Sequence, residues 1–269
     1  MKYFNQNGSI IPISDAALPI DNGAFRYGYG LFETMLMQDS VIRLKDFHWE
    51  RLFVGLKQLY FEIPSLMTPE WLETEVLRTV GENQAETRCR VRLQMYMGGG
   101  GLYSSEGRKP GFIIECFPLD EDTLKLNENG LVAGIANGLS KSMDSLSNLK
   151  SCNALIYAIA ARQAKKHKWN DALVCNTKGN VIESAIANIF WIKDGIAYTP
   201  PLSEGCVAGV MRRYILEKVP VIEKRLHVEE LLDADEVFLS NAIKKIRWVG
   251  NIEGKMYGNE KIKKIYSYL

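Results

Sequence analysis

Short runs in which apolar and polar residues alternate, broken by turn residues, dominate the first half of the chain and predict strands. Asn7-Gly8 is a typical hairpin turn between two of them. Phe47, Leu52 and Leu56 instead recur at the spacing of one helix face. The predicted elements of this half are strands at 3–5, 10–11, 31–37, 41–44, 88–97 and 111–117, and helices at 46–59 and 70–80.

The second half combines an alanine-rich helical pattern with several short apolar strands. Gly209 stands directly before one of its predicted helices. The predicted elements are strands at 131–135, 171–175, 181–183, 188–192, 196–198 and 236–240, and helices at 154–166 and 211–218, with a final helix around 261–264.

These patterns predict an α+β chain of two domains, each built on a sheet with flanking helices. An acidic and polar stretch separates the two halves. The predicted boundaries are an N-terminal α/β domain at 1–118, a linker at 119–128 and a C-terminal domain at 129–269 that carries Lys150.

Composition narrows the class of protein. The chain has 269 residues, 46% of them hydrophobic, and a net charge of +1 with acidic and basic residues interspersed, so we expect no nucleic-acid partner. No apolar run reaches the roughly 20 residues of a membrane helix, and the N-terminus has no signal core. The five cysteines are scattered and odd in number, which indicates a reducing, cytoplasmic setting.

Two residues carry the strongest chemical signal. Lys150 lies at a predicted strand-to-helix junction and is followed by the small and polar residues Ser151, Cys152 and Asn153. Glu183 follows a glycine turn on a predicted short strand. A lysine that forms a Schiff base and a carboxylate that pairs with a protonated ring nitrogen are the two groups that pyridoxal phosphate enzymes need.

A phosphate group needs donors as well. Val210 and Met211 begin the helix after Gly209, so their free N–H groups and the helix dipole suit a dianion. The loop with Asn241 and Ala242 is a second predicted donor set. Arg51 is the candidate charged group from the first half that would bind the phosphate. The sequence therefore predicts a cofactor site, and we expect no metal site.

In order along the chain, these segments resemble the class IV aminotransferases, the fold type IV pyridoxal phosphate enzymes. The segments that carry the resemblance are the glycine-rich stretch 21–34, His48-x-x-Arg51-Leu, Leu149-Lys150, 181–190, Thr199-Pro-Pro-Leu, Gly209-Val-Met-Arg and 234–242. The resemblance covers almost the whole chain.

The resemblance implies a role for each matching residue. Lys150 would form the Schiff base with pyridoxal phosphate and then move the substrate proton. Glu183 would pair with the ring nitrogen. The phosphate would be held by Arg51 and by the loops at Val210, Met211, Asn241 and Ala242. Family members are usually homodimers with a small-molecule amino substrate, so we expect the same here.

The activity stays open between two reactions of this family. The 188–193 segment, Met211, Ala242 and the hydroxyl of Thr34 resemble 4-amino-4-deoxychorismate lyase, an enzyme of folate biosynthesis that releases pyruvate and 4-aminobenzoate. A branched-chain or D-amino acid transaminase that uses 2-oxoglutarate or pyruvate is the alternative. A non-catalytic relative that binds the cofactor is a more remote one.

The substrate-binding residues are harder to predict. The loop at 98–101 consists of glycines and has no basic residue, so a carboxylate would need Arg26, Arg90 or Arg92. Arg90 and Arg92 point to one face of their strand, and the sequence leaves open which face. The remaining candidates are aromatic: Phe25, Tyr27 and Tyr96, with Tyr103 beyond the loop.

Overall fold

A computed structural model describes residues 1–98 and 109–269, and its contacts divide the chain into two compact units. The first unit comprises Met1–Thr123 and Lys150–Asn153, and the second comprises Leu124–Leu149 and Ala154–Leu269. The division after Thr123 falls inside the predicted linker. Lys150–Asn153, which the sequence placed in the C-terminal domain, belongs by its contacts to the first unit.

The first unit is a sheet with two long helices. In chain order its elements are β1 (Tyr3–Gln6), β2 (Ser9–Pro12), α1 (Gly23–Tyr27), β3 (Gly30–Gln38), β4 (Val41–Ile42), α2 (Lys45–Gln58), α3 (Pro69–Glu82), β5 (Arg88–Met97) and β6 (Pro110–Pro118). Within the described residues, the strands of this first sheet lie in the order β2-β1-β6-β5-β3-β4, and all of their pairings are antiparallel.

The two faces of the first sheet differ in polarity. Met35, Leu93 and Ile114 are fully buried on the face that α2 and α3 cover. The residues that alternate with them, such as Thr34 and Arg92, are half-buried. We call this second surface the open face. Arg92 points to it, which decides the orientation that the sequence left open.

Glu33 fixes α2 to the sheet. It lies on the helix-covered face of β3 and is almost fully buried. Its carboxylate accepts two hydrogen bonds from Arg51 of α2, Nε to Oε1 at 2.8 Å and Nη2 to Oε2 at 2.5 Å. His48 Nδ1 lies 2.6 Å from Oε2. A buried carboxylate is stable only with such partners, so this cluster holds the helix and the strand together.

The protonation states of this cluster follow from burial and charge. Burial lowers the pKa of His48 more than its hydrogen bond to Glu33 raises it, so the imidazole is neutral and donates its Nδ1–H. Burial alone would raise the pKa of Glu33. The charge of Arg51 and the hydrogen bonds from His48 and Arg51 outweigh that effect and hold the pKa at about 2.

The second unit is a mixed sheet with helices on both faces. Its elements are β7 (Leu131–Lys141), α4 (Leu155–His167), β8 (Asp171–Asn176), β9 (Val181–Ser184), β10 (Asn188–Lys193), β11 (Ile196–Thr199), α5 (Val210–Lys218), β12 (Val221–Glu223), α6 (Val228–Asp233), β13 (Glu236–Asn241), β14 (Lys245–Ile252), β15 (Lys255–Met256) and α7 (Glu260–Ser267). The strands of this second sheet run in the order β12-β11-β10-β13-β14-β7-β8-β9. In addition β15 pairs with β14, and β9 pairs with β10.

Each face of the second sheet has its own core. On one face Ala160 and Ala164 of α4 pack against Ala172 and Val174 of β8. The alanines explain why this helix lies so close to its sheet. The other face carries a larger apolar cluster that includes Leu231 of α6. We call the first of these surfaces the α4 face.

Most predicted elements are confirmed to within a few residues, including the final helix, which is α7. The predicted strand at 131–135 was too short, because β7 continues to Lys141 through an irregularity between Ile135 and Ser140. Gly138 within it has a φ of 69°, a conformation that favours glycine. The patterns also missed α1, α6, β12, β14 and β15. Among residues 1–98 and 109–269, no helix is both long and apolar enough to cross a bilayer.

Acid should destabilise the protein through Glu33. Its pKa is about 2 in the folded chain against an ordinary 4.5, so its stabilising contribution is present above pH 4.5 and is lost as the pH falls toward 2. We expect Glu33→Gln to remove an acid-sensitive part of the unfolding free energy on the order of 3 kcal/mol. Urea unfolding at a series of pH values measures this.

The matched control is Glu73→Gln, which breaks a surface ion pair with Lys45 in the same unit. Because exposed pairs contribute little, the control should change the unfolding free energy by less than about 1 kcal/mol. An unchanged acid dependence in Glu33→Gln would contradict the assignment of this pKa.

Candidate active site

The segment that carries Lys150 is paired with β3. The Phe32 N–H donates to the Lys150 carbonyl at 3.0 Å, and the Cys152 N–H donates to the Gly30 carbonyl at 2.8 Å. Ser151 forms an antiparallel bridge with Leu31. Lys150 therefore stands on a short strand-like stretch that the first sheet holds in place.

Two glycines make this pairing possible. A Cβ on Gly30 would overlap the Met95 carbonyl oxygen and would lie 3.1 Å from Cys152 Sγ. Gly28 has a φ of 67°, and a Cβ there would lie 3.1 Å from the Asn153 Cα. Only glycine allows the backbone to approach this closely in that conformation. The glycine-rich stretch thus serves to seat the lysine segment.

The Lys150 amine and a guanidinium share one aromatic ring. Lys150 Nζ lies 4.3 Å from the centre of the Phe32 ring, and Arg92 Cζ lies 3.9 Å from the same centre. Both contacts are of the cation–π kind. Thr34 lies two residues along β3 from Phe32 and is the register partner of Arg92. The open face therefore brings Lys150, Thr34 and Arg92 around Phe32.

Arg92 has polar partners on the open face as well. Its Nη2 donates to Gln94 Oε1 at 2.7 Å, and its Nε lies 3.8 Å from Glu115 Oε2. Burial lowers the pKa of Arg92. The guanidinium stays charged because the ordinary pKa of arginine lies far above neutral pH. Arg90 is exposed and lies over the Phe117 ring, at 4.6 Å.

The remaining first-unit candidates are spread out. Phe25, Arg26 and Tyr27 form the exposed side of the short helix α1, which Asn22 caps by accepting from the Ala24 N–H at 2.9 Å. Tyr96 is buried, and a Cβ on Gly111 would overlap its ring.

Tyr96 is thus part of the packing of the first unit, and its hydroxyl accepts from Asn7 Nδ2 at 3.2 Å. The guanidinium of Arg51 is bound to Glu33, as described above. The loop at 98–101, apart from Gly98, and Tyr103 lie outside the described residues.

Glu183 lies on the α4 face of the second sheet and is 3% exposed. Its Oε1 accepts from Lys141 Nζ at 2.6 Å and from the Tyr157 hydroxyl at 2.7 Å, and its Oε2 accepts from the Val207 N–H at 2.9 Å. Burial raises the pKa of Tyr157, and the charge of Glu183 raises it further, so the phenol stays protonated.

An uncapped helix end lies next to this carboxylate. Gly209 is the N-cap of α5, and no side chain of the described residues caps the helix. Val210 and Met211, the first two residues of α5, are buried. Backbone N–H groups at such a helix end are donors that suit an anion. The sequence predicted this donor pair, and in the structure the pair follows the loop that carries Val207.

Asn188 and Val207 connect the two groups. Asn188 is the register partner of Glu183, so their side chains share a face. Asn188 Nδ2 donates to the Val207 carbonyl at 2.9 Å, while the Val207 N–H donates to Glu183. A Cβ on Gly209 would overlap Asn188 Oδ1. The backbone of one residue, Val207, therefore ties the carboxylate to the start of α5.

Ser240 adds a donor that the sequence reasoning missed. It is the register partner of Asn188 and so lies on the same face, and its Oγ is buried with no hydrogen-bond partner among the described residues. Buried hydroxyl groups are rarely left unpaired. The side chain of Asn241 accepts from the Ile243 N–H at 3.1 Å and the Lys244 N–H at 2.8 Å, so it shapes the turn at Ala242.

This donor set fits a phosphorylated nitrogen heterocycle. The helix end and the orphaned Ser240 hydroxyl suit a phosphate, and the Glu183 carboxylate suits a ring N–H. Lys141 and Tyr157 were also missed by the sequence reasoning. Tyr157 lies in the first turn of the predicted helix α4, so the sequence could have suggested it as a site residue. Lys141 could not have been found in this way, because it reaches Glu183 through the irregular course of β7.

Comparison with known proteins agrees with this geometry. Residues 30–252 match the family model for amino-transferase class IV. Aminodeoxychorismate lyase of Bacillus subtilis (strain 168) is 30% identical over 262 residues, which cover 94% of this chain and 88% of that protein.

Solved structures show the same fold. The branched-chain amino acid aminotransferase of Escherichia coli superposes with a TM-score of 0.87 at 25% identity, covering 98% of this chain and 92% of that one. Another branched-chain amino acid aminotransferase, solved with pyridoxamine 5'-phosphate, gives a TM-score of 0.83 at 22% identity, covering 98% and 91%. The chain therefore belongs to the class IV aminotransferase family of fold type IV, and it is a pyridoxal phosphate-dependent enzyme.

Proposed function

We propose that this enzyme is a 4-amino-4-deoxychorismate lyase, which converts its substrate to 4-aminobenzoate and pyruvate. The observation that carries the proposal is the group of Lys150, Thr34 and Arg92 around Phe32 on the open face. The substrate has carboxylates that need a cation, and a hydroxyl is useful where a three-carbon acid departs. The 30% identity to a Bacillus lyase supports the same activity.

Each residue has a role in this proposal. Lys150 holds the cofactor covalently and then removes the proton from the carbon that bears the substrate amine. Thr34 donates a proton to the departing three-carbon acid and regains one from the Lys150 ammonium, so that the proton that Lys150 removed is returned and no net proton is consumed. Arg92 binds a substrate carboxylate with a charge-assisted hydrogen bond.

The second unit supplies the anchors. Glu183 binds the ring nitrogen, and the phosphate is held by the N–H groups of Val210 and Met211 together with the Ser240 hydroxyl. We assign Arg51 and the turn at 241–242 to the phosphate as well, following the resemblance. When bound, pyridoxal phosphate supplies the electron withdrawal that makes the proton next to the amine acidic.

A branched-chain amino acid transaminase is the second candidate. It is favoured by the likeness to the Escherichia coli enzyme of that name. A single guanidinium, that of Arg92, suffices for the one carboxylate of such a substrate. Phe32 and Ile113 add apolar surface on the open face, which suits a hydrocarbon side chain.

We also infer a homodimer and a reducing compartment. Leu18, Ile20 and Phe25, which lie close together in the sequence before β3, are at least half exposed, and exposed apolar surface of this kind is typical of interaction sites. All five cysteines are free, and burial raises the pKa of Cys206 to about 12 and so keeps it inert. Free thiols of this kind favour the cytoplasm.

The two activities are separated by assay of one preparation. With aminodeoxychorismate we expect pyruvate and 4-aminobenzoate in equal amounts. With L-leucine or D-alanine plus 2-oxoglutarate we expect no keto acid above background. Lys150→Ala should abolish turnover, and borohydride should fix the cofactor on Lys150 in the unsubstituted protein only. Rapid keto acid formation without pyruvate release would replace the lyase by the transaminase.

Arg92→Gln tests the carboxylate site. Loss of a charged hydrogen bond to the substrate should lower kcat/KM by about tenfold or more. The matched control is Arg90→Gln, on the same strand and the same face, which should stay within about twofold because Arg90 is exposed over Phe117. Equal losses in both variants would show that general charge, rather than Arg92, binds the substrate.

Gly209→Ala tests the phosphate site. The added Cβ overlaps Asn188 Oδ1, so the start of α5 must shift. We expect the Kd for pyridoxal phosphate to rise by about tenfold or more, since one charged hydrogen bond has about that value. Binding of pyridoxal, which has no phosphate, should change little. Gly81→Ala, whose Cβ meets no atom closer than 3.7 Å, is the control.

Sedimentation equilibrium tests the dimer. We expect twice the chain mass of 30.4 kDa at micromolar protein, and a shift toward the monomer when Ile20 and Phe25 are both replaced by serine. A monomeric unsubstituted protein would refute the inference.

A further inference from the structure

Glu183 has an unusually complete set of partners before any ligand is considered. Its Oε1 accepts from Lys141 and Tyr157, and its Oε2 accepts from the Val207 N–H. One direction at Oε2 remains for a further donor, because a carboxylate accepts up to about four hydrogen bonds. The cofactor would therefore meet a carboxylate whose negative charge is already balanced by Lys141.

Lys141 is the partner that supplies this neutralisation. Its side chain is 10% exposed, and its Nζ lies 2.6 Å from Glu183 Oε1 and 5.2 Å from the centre of the Tyr157 ring. A buried ammonium is costly unless it is paired. The packing between α4 and β8 is built from small apolar side chains and does not involve this ion pair. We therefore expect a functional role of the Lys141–Glu183 pair.

We propose that Lys141 is a positioning residue whose charge, held against Glu183, limits how strongly this carboxylate attracts a proton on the cofactor's ring nitrogen. The inference rests on the proposed function, in which Glu183 binds that nitrogen. It adds a residue whose charge tunes the cofactor rather than touching the substrate.

The physical argument concerns net charge. A lone carboxylate in a site of low polarity stabilises a ring N–H⁺ strongly, because the two charges attract with little screening. Lys141 places a positive charge on the far side of the same carboxylate, so the field at the ring nitrogen is that of a nearly neutral pair. Tyr157 and Val207 hold the carboxylate in place without adding net charge. Removal of the Lys141 charge should therefore strengthen the bond between Glu183 and the ring nitrogen.

Binding of two cofactor forms to the apoenzyme tests this. The probes are pyridoxal phosphate and its 1-deaza analogue, in which a carbon replaces the ring nitrogen. The ratio of their Kd values reports only the interaction at that atom. We expect Lys141→Met to raise the preference for pyridoxal phosphate by about tenfold over the unsubstituted enzyme, the value of one charged hydrogen bond. Lys141→Arg, which keeps the charge, should retain the original ratio.

A second readout is the ¹⁵N NMR shift of ring-labelled pyridoxal phosphate in the holoenzyme. It should move toward the protonated value in Lys141→Met and stay in place in Lys141→Arg. Lys178→Met, which removes an exposed lysine from a turn of the same unit, is the control and should change neither readout. Because a buried, unpaired Glu183 can prevent folding, Lys141→Gln serves as the second variant and should behave like Lys141→Met.

The outcomes separate the two proposals. An unchanged Kd ratio and an unchanged ¹⁵N shift in Lys141→Met or Lys141→Gln would overturn the tuning role and leave Lys141 a structural ion pair. If the unsubstituted enzyme does not discriminate against the deaza analogue and borohydride fixes no cofactor on Lys150, the proposed function itself fails.

Discussion

The close approach of residues 150–152 to β3 is the constraint on which the chemistry of the first unit depends. Backbone hydrogen bonds on both sides of Ser151 fix the lysine segment, and Gly28 and Gly30 leave the space for it. The same pairing sets Lys150 Nζ against Phe32, where Arg92 also lies. A side chain at either glycine would displace the segment that carries Lys150. This turn sequence, although far from Lys150 along the chain, therefore helps to position the lysine.

Two buried carboxylates are stabilised in different ways. Glu33 is held by the permanent charge of Arg51 and by a neutral histidine, which makes it a fixed anion that ties α2 to the first sheet. Glu183 is held by Lys141, by a phenol and by a backbone N–H. For Glu33, burial raises the pKa of the carboxyl, and the charge of Arg51 with the hydrogen bonds outweighs that effect. The difference lies in the donors: Glu33 accepts hydrogen bonds at both oxygens from one guanidinium, whereas the donors to Glu183 come from three different residues.

The second unit connects its two candidate binding groups through the backbone of one residue. Val207 donates to Glu183 and accepts from Asn188, and two residues later α5 begins. A carboxylate and an uncapped helix end are thereby fixed with respect to each other by backbone geometry. Such fixed positions suit a rigid cofactor, since little ordering remains to be done when it binds. In the proposed function, specificity for one amino substrate depends instead on the open face of the first sheet.

The sequence by itself determined the α+β class and most strands and helices, because these follow from local periodicity. Its short ordered motifs singled out Lys150, Glu183 and the α5 donors as candidate site residues. It did not determine the length of β7 or the place of Lys141, since an irregular strand has no fixed spacing. It could not place Arg92 on the open face, because alternation along a strand tells that two residues share a face but not which face the helices cover. It also could not show that Tyr96, on the same face of β5, packs over Gly111, because that contact depends on the pairing of β5 with β6. Only the tertiary structure, through strand register and helix packing, decided those contacts.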